Sequence, residues 1–83
     1  MSEKLPTVSG KVVIRFLESL GYEVVRQRGS HVRLVKMTPA GKHKLTIPDH
    51  NPVAKGTLGD ILAKVSIWCQ VDKEEIIAKL RAS

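Results

Sequence analysis

Residues 22–37 read YEVVRQRGSHVRLVKM. Two runs rich in β-branched and apolar residues, YEVVRQ (22–27) and HVRLVKM (31–37), flank the short turn signal RGS (28–30). Glycine and serine at such a break supply the backbone freedom that joins two antiparallel strands, so the stretch predicts a β-hairpin. In the second run Val32 and Leu34 alternate with His31 and Arg33, and Lys36 shares the side of the two apolar residues. Val32 and Leu34 must face a core, which turns His31 and Arg33 to the opposite side. The first strand leaves its facing open, because Val24 and Val25 are adjacent and both can be buried.

The flanking elements give the fold class. Upstream, SGKVVIRFLESLG (9–21) predicts a helix with Ser9 as its N-cap, Val13, Phe16, Leu17 and Leu20 as its apolar stripe, and Gly21 as its stop. Downstream, the turn TPAGK (38–42) leads to HKLTI (43–47), a third strand closed by Pro48. Its Leu45 and Ile47 face the core, and Lys44 and Thr46 face outward. PDHNPVAKG (48–56) is a loop. Thr57, with Asp60 three residues on, resembles a capping box that opens a second helix, and Leu58, Ile61, Leu62 and Val65 keep helical spacing. Trp68 is expected in the core just beyond that helix. Asp72 caps KEEIIAKL (73–80), a short third helix with Glu75 at the capping-box position. The predicted class is therefore α+β, in the order α-β-β-β-α. A three-stranded antiparallel sheet carries helices on one face, with an extra short C-terminal helix.

Composition narrows the function. At 83 residues the chain is expected to form one domain over residues 1–83, too small to enclose a large substrate pocket. A surface or shallow groove is the expected site. One cysteine, Cys69, excludes a disulfide framework and fits a reducing compartment. The opening MSEKLPTVSG has no apolar run of the kind a signal peptide carries, and no stretch approaches the ~20 residues of a membrane span, so a cytoplasmic location is expected. The net charge of +6 resides in one segment. No acidic residue lies between Glu23 and Asp49, an interval holding Arg26, Arg28, Arg33, Lys36, Lys42 and Lys44. A one-signed block of this kind suits a polyanion. The alternative is a solvated sheet face whose lysines and arginines guard against aggregation.

The outward side of the sheet gathers His31, Arg33, Lys44 and Thr46. Cleaving RNA requires taking a proton from a 2′-hydroxyl, stabilising charge on the phosphorus, and protonating a departing 5′-oxygen. A histidine can serve either proton step, and arginine or lysine can hold the phosphate. His31 is thus the candidate catalytic residue, with Arg28, Ser30, Arg33 and Lys44 as candidate RNA contacts. The other histidines point elsewhere. His43 has core parity and is expected to pack. His50 adjoins Asp49, whose carboxylate can orient an imidazole, although turn chemistry accounts for the same pair. Lys55 and the amides opening the second helix can take a phosphate, or simply form a cap. One cysteine and three scattered histidines give no zinc-ligand spacing, and KGTLGD (55–60) lacks the pattern of a phosphate-binding loop, so no metal or cofactor is expected. Aromatic residues are too few for a base-stacking platform.

Three strings, SGKVVIRFLESLGYEVVRQRGSHVRL (9–34), LTIPDH (45–50) and KGTLGDIL (55–62), resemble the HicA toxins of type II toxin–antitoxin modules. The resemblance spans about residues 8–77, and RQRGSH (26–31) is its most specific part. It implies a double-stranded-RNA-binding-domain-like fold and an endoribonuclease that cleaves mRNA and so inhibits translation. His31 would be the catalytic residue in the turn made by Gly29 and Ser30. His50 matches a second family histidine, and Gly56-Thr57-Leu58 match the helix start. A HicB-like antitoxin covering the site is implied as partner. The chain departs from the family pattern at HVRLV (31–35), where an aromatic residue often follows the histidine, and at AKVSIWCQVDKEE (63–75), which replaces a glycine-containing turn. Two other functions compete. A non-catalytic double-stranded RNA binder would want a lysine cluster opening the second helix, where only Lys55 stands. A docking surface for an acidic protein would need no catalysis at all.

Overall fold

The computed structural model describes residues 5–82; residues 1–4 and 83, which the expected domain includes, lie outside it. Along the chain come α1 (Gly10–Ser19), β1 (Glu23–Arg28), β2 (His31–Thr38), β3 (Gly41–Pro48), α2 (Lys55–Cys69) and α3 (Lys73–Ala82). The strands form an antiparallel sheet in the order β1-β2-β3. This is the predicted α+β class and order.

Local chemistry accounts for most of the boundaries. The Ser9 hydroxyl accepts a hydrogen bond from the Val12 amide at 3.2 Å, closing the N-terminus of α1. At the other end, the Lys36 ammonium donates to the Leu20 carbonyl at 2.5 Å. That bond explains a lysine on the core-facing side of β2: its stem covers apolar surface while its head satisfies a helix-end carbonyl. Gly29, at φ +58°, opens the two-residue turn between β1 and β2. The second hairpin is tighter than expected, with Thr38 paired to Gly41, so β3 starts at Gly41 rather than His43.

The core lies on one side of the sheet. Val13, Phe16 and Leu17 of α1, Val32 and Leu34 of β2, Leu45 and Ile47 of β3, and Leu58, Ile61, Leu62 and Val65 of α2 are all buried, with Ile76, Ile77 and Leu80 of α3 beside them. Gly10 is where α1 meets the loop after β3. Its amide donates to the His50 carbonyl at 2.7 Å, and a Cβ there would sit 2.7 Å from the Asp49 Cα. Only glycine allows that approach.

Three expectations change. The second helix begins at Lys55, not after Thr57, and its N-cap Ala54 makes no side-chain hydrogen bond. Buried Val53, whose amide donates to the Val8 carbonyl at 2.8 Å, fixes the chain just upstream. Tertiary anchoring therefore starts the helix ahead of the polar cap signal. The helix also runs on to Cys69, which places Trp68 inside its last turn. Gln70, in the left-handed conformation at φ 57°, closes α2 with Gln70 N–H to the Ile67 carbonyl and Val71 N–H to the Ser66 carbonyl. Those are the two bonds of a Schellman ending, made here without glycine. Finally, neither valine of β1 is buried: Val24 is 42% and Val25 52% exposed. β1 is the sheet edge away from β3, the strand against which α2 packs. Among the described residues no helix is long and apolar enough to cross a membrane.

Candidate nucleic-acid interface

Cross-strand pairing builds the uncovered face in rungs. Arg28 pairs with His31, which pairs with Pro48. The next rung on that face is Arg26–Arg33–Thr46, and beyond it Glu23–Val35–Lys44. Directly paired residues share a face, with Cβ atoms roughly 4.5–5.5 Å apart, and successive rungs on one face lie about 7 Å apart along the strand. The first two rungs frame a shallow depression of about 270 Å³ lined by Arg26, Arg28, His31, Arg33 and Thr46. Three guanidinium groups and one imidazole thus converge with no acidic side chain among them. All four of these side chains are exposed, and among the described residues none has an ion-pair or hydrogen-bond partner.

A β-bulge makes this arrangement possible. Val24 pairs with Leu34, and Arg26 pairs with Arg33, so Val25 is an extra residue in β1. Strict alternation from Val24 would put Arg26 and Arg28 on the core side. The inserted residue moves both to the side of His31.

The other candidates separate from this centre. Ser30 lies in the exposed turn, and its carbonyl accepts from the Asp49 amide at 2.6 Å, tying the hairpin tip to the end of β3. Lys44 is on the same face as His31, one rung past Thr46 and outside the depression. His50 is exposed in the loop, where its backbone carbonyl holds α1, and its ring makes no bond to Asp49. Lys55 is the exposed first residue of α2 and does not line the depression. Arg26 is the one lining cation absent from the contacts expected from sequence. Its only signal was the pair of adjacent valines before it, where alternation has to break if one side is to stay apolar.

His43 occupies the other side of the sheet. It is buried, its Nδ1 shares a 2.7 Å hydrogen bond with the Tyr22 hydroxyl, and its ring stacks on Trp68 with centroids 4.8 Å apart. Burial, and after it the positive charge of Lys64, lower its pKa below the usual histidine value. Burial, followed by the contact with Cys69, pushes the Tyr22 phenol up, so it stays protonated. Among the described residues no group of three or more His, Cys, Asp and Glu side chains comes together in a way that could hold a metal ion.

The chain is thus a small basic α+β domain that presents an accessible histidine within an unpaired cluster of arginines. Comparison with protein families identifies the lineage: the model of the HicA toxin of bacterial toxin–antitoxin systems matches residues 10–67, and the chain belongs to that family. The matched span runs from the start of α1 nearly to the end of α2 and leaves α3 outside. Comparison with curated proteins and with solved structures found no match.

Proposed function

We propose that this toxin-family protein is a metal-independent endoribonuclease that cleaves mRNA, with His31 as its proton-transfer residue. The observation that carries the reading is the meeting of an accessible imidazole with unpaired guanidinium groups in one depression. A 2′-hydroxyl oxygen attacks the adjacent phosphorus and the bond to the 5′-oxygen breaks. The products are a 2′,3′-cyclic phosphate and a free 5′-hydroxyl. His31 takes the 2′-hydroxyl proton or supplies one to the leaving oxygen, and solvent water serves the other transfer. Arg28 and Arg33 hold the phosphate and offset the charge that builds on it. Ser30 and Lys44 engage the RNA beside the depression. His50 and Lys55 extend the contact only if the strand continues toward α1 and α2.

The decisive assay incubates purified protein with a defined RNA, with and without EDTA, and determines the fragment ends. Cleavage that survives chelation and leaves cyclic phosphate supports the reading. A reaction stopped by EDTA and restored by a divalent ion overturns the metal-independent account. RNA binding with no cleavage leaves the non-catalytic binder of the same fold.

The partner that follows from this site is a HicB-like antitoxin bearing acidic and apolar residues, which covers the open face. A standard interface takes about 800 Å² per partner, a substantial share of a protein whose accessible surface is 5266 Å². Occlusion then needs no conformational change. RNA and antitoxin should compete for the His31→Ala protein, and simultaneous binding without mutual weakening would defeat the occlusion account.

A further inference from the structure

We infer that Arg26 binds the phosphate under attack, and that the bulge at Val25 is the structural device that brings it there. The inference rests on the RNA-cleaving reading above and adds a residue to it.

The backbone supplies the first argument. With Val24 opposite Leu34, regular alternation would carry Arg26 to the core side of β1. One unpaired residue, Val25, reverses that and leaves its own side chain 52% exposed. An exposed valine and an interrupted ladder both cost local stability. The gain is the orientation of the two arginines that follow.

The second argument is electrostatic. Arg26 and Arg33 stand directly opposite each other, and like charges in that position destabilise a strand pair. Among the described residues neither has an anionic partner, whereas Lys64 and Lys79 on the helices pair with Asp60 and Glu75. Arg28 and His31 on the neighbouring rung add no negative charge. The protein therefore holds a repulsive cluster that an external anion relieves. Two facing guanidiniums also present paired N–H donors, which match the two non-bridging oxygens of a phosphodiester. The imidazole of His31, one rung away, is then beside the sugar–phosphate junction where protons move.

The competing explanation is that Arg26 only adds to the overall positive field. The exchange Arg26→Gln/Gln27→Arg separates the two, because net charge is unchanged while the guanidinium moves to the opposite side of β1. Residue 27 is exposed there, so the fold tolerates it, and thermal unfolding checks this directly. Single-turnover cleavage of a defined RNA is measured alongside the salt dependence of binding to its 2′-O-methyl copy, which lacks the attacking hydroxyl. The exchanged protein should lose on the order of 10²-fold in the cleavage rate at saturating protein. Its log–log salt slope should flatten by about 0.7, one single-strand phosphate contact. Arg26→Lys, folded equally well, should retain more activity than Arg26→Gln, since it keeps charge but not the fork. An exchanged protein with wild-type rate and wild-type slope would overturn the assignment. If the wild type binds RNA without cleaving it, the RNA-cleaving reading fails and the salt slope alone decides Arg26. If the wild type does not bind the 2′-O-methyl RNA at all, both fall.

Discussion

His31 and His43 stand on adjacent strands of one sheet and face opposite ways. His43 is 4% exposed, stacked on Trp68, and hydrogen-bonded to Tyr22, which in turn lies 3.7 Å from the Cys69 sulfur. His31 is exposed beside Arg28 and Arg33, and among the described residues no hydrogen bond or ion pair occupies its ring. The difference shows that strand parity, rather than residue type, decides whether a histidine is committed to the core or left open to solvent. A histidine whose ring is committed to internal partners contributes packing and satisfied hydrogen bonds. One whose ring is uncommitted, in a cationic setting with no counter-ion, is available to a ligand.

Exchanging each histidine for alanine tests that division most severely. His31→Ala should lower RNA cleavage by about 10²–10⁴-fold, the usual worth of a general acid or base. Its unfolding free energy should stay within roughly 0.5 kcal/mol of wild type, as for other exposed substitutions. His43→Ala should do the reverse. It removes a ring stacked on Trp68 and takes from the Tyr22 hydroxyl its 2.7 Å partner, leaving only the longer contact with the Cys69 sulfur, at a combined cost of about 2–4 kcal/mol. Cleavage per folded molecule should be unchanged. Parallel denaturant titrations and cleavage assays on the two variants provide the check. A well-folded His31→Ala protein with full activity would remove the proposed mechanism.

Much of this contrast was legible in the sequence, because β2 and β3 alternate cleanly. Val32 and Leu34, with Leu45 and Ile47, determine which way His31, Arg33, His43 and Lys44 point. The resemblance around RQRGSH, and the family match over residues 10–67, agree on the lineage. β1 was not legible in the same way. Two adjacent valines are compatible with either facing, and a bulge is a property of pairing that appears only when β1 is set against β2. The start of α2 was misplaced for a related reason. Thr57 and Asp60 are a local signal, whereas the anchor at Val53 depends on a contact with Val8 far back in the chain. The length of α2 escaped because Gln70, not glycine, takes the left-handed position. The path from Lys44 to His31 was also less direct than alternation alone suggested, since same-face residues can still be a rung apart.

The cations can be compared in the same manner as the histidines. Replacing Arg33 and Lys44 together by glutamine should flatten the salt dependence of RNA binding by about one to two log–log units. Replacing Lys64 and Lys79 removes the same formal charge from the helices, where each lysine already pairs with a carboxylate four residues earlier. That second variant should keep the wild-type slope, because the slope counts displaced counterions at contacts rather than total charge. Fluorescence titrations across a salt series would reveal the contrast. Equal slopes in both variants would place the RNA on another surface.

The smallest effect concerns pH, and it belongs to the buried histidine. In the folded protein the His43 pKa lies below its ordinary value of about 6.5, first because burial disfavours the imidazolium and then because Lys64 repels it. In the unfolded chain that restraint is gone. As pH falls through about 6.5 the unfolded state binds a proton that the folded state resists, so ΔG of unfolding must decrease. The stabilising contribution is therefore complete above that range and is lost as pH drops from the unfolded pKa toward the lower folded one. Urea midpoints measured from pH 7.5 to 5 should show this decline. The same decline should be smaller in His43→Phe, which keeps a ring against Trp68 but cannot take up a proton. His31→Ala should leave it in place, since the exposed histidine has no part in the buried cluster. A His43→Phe protein with the full wild-type decline would assign the pH sensitivity to other groups, and the two faces of the sheet would no longer divide stability from chemistry in this way.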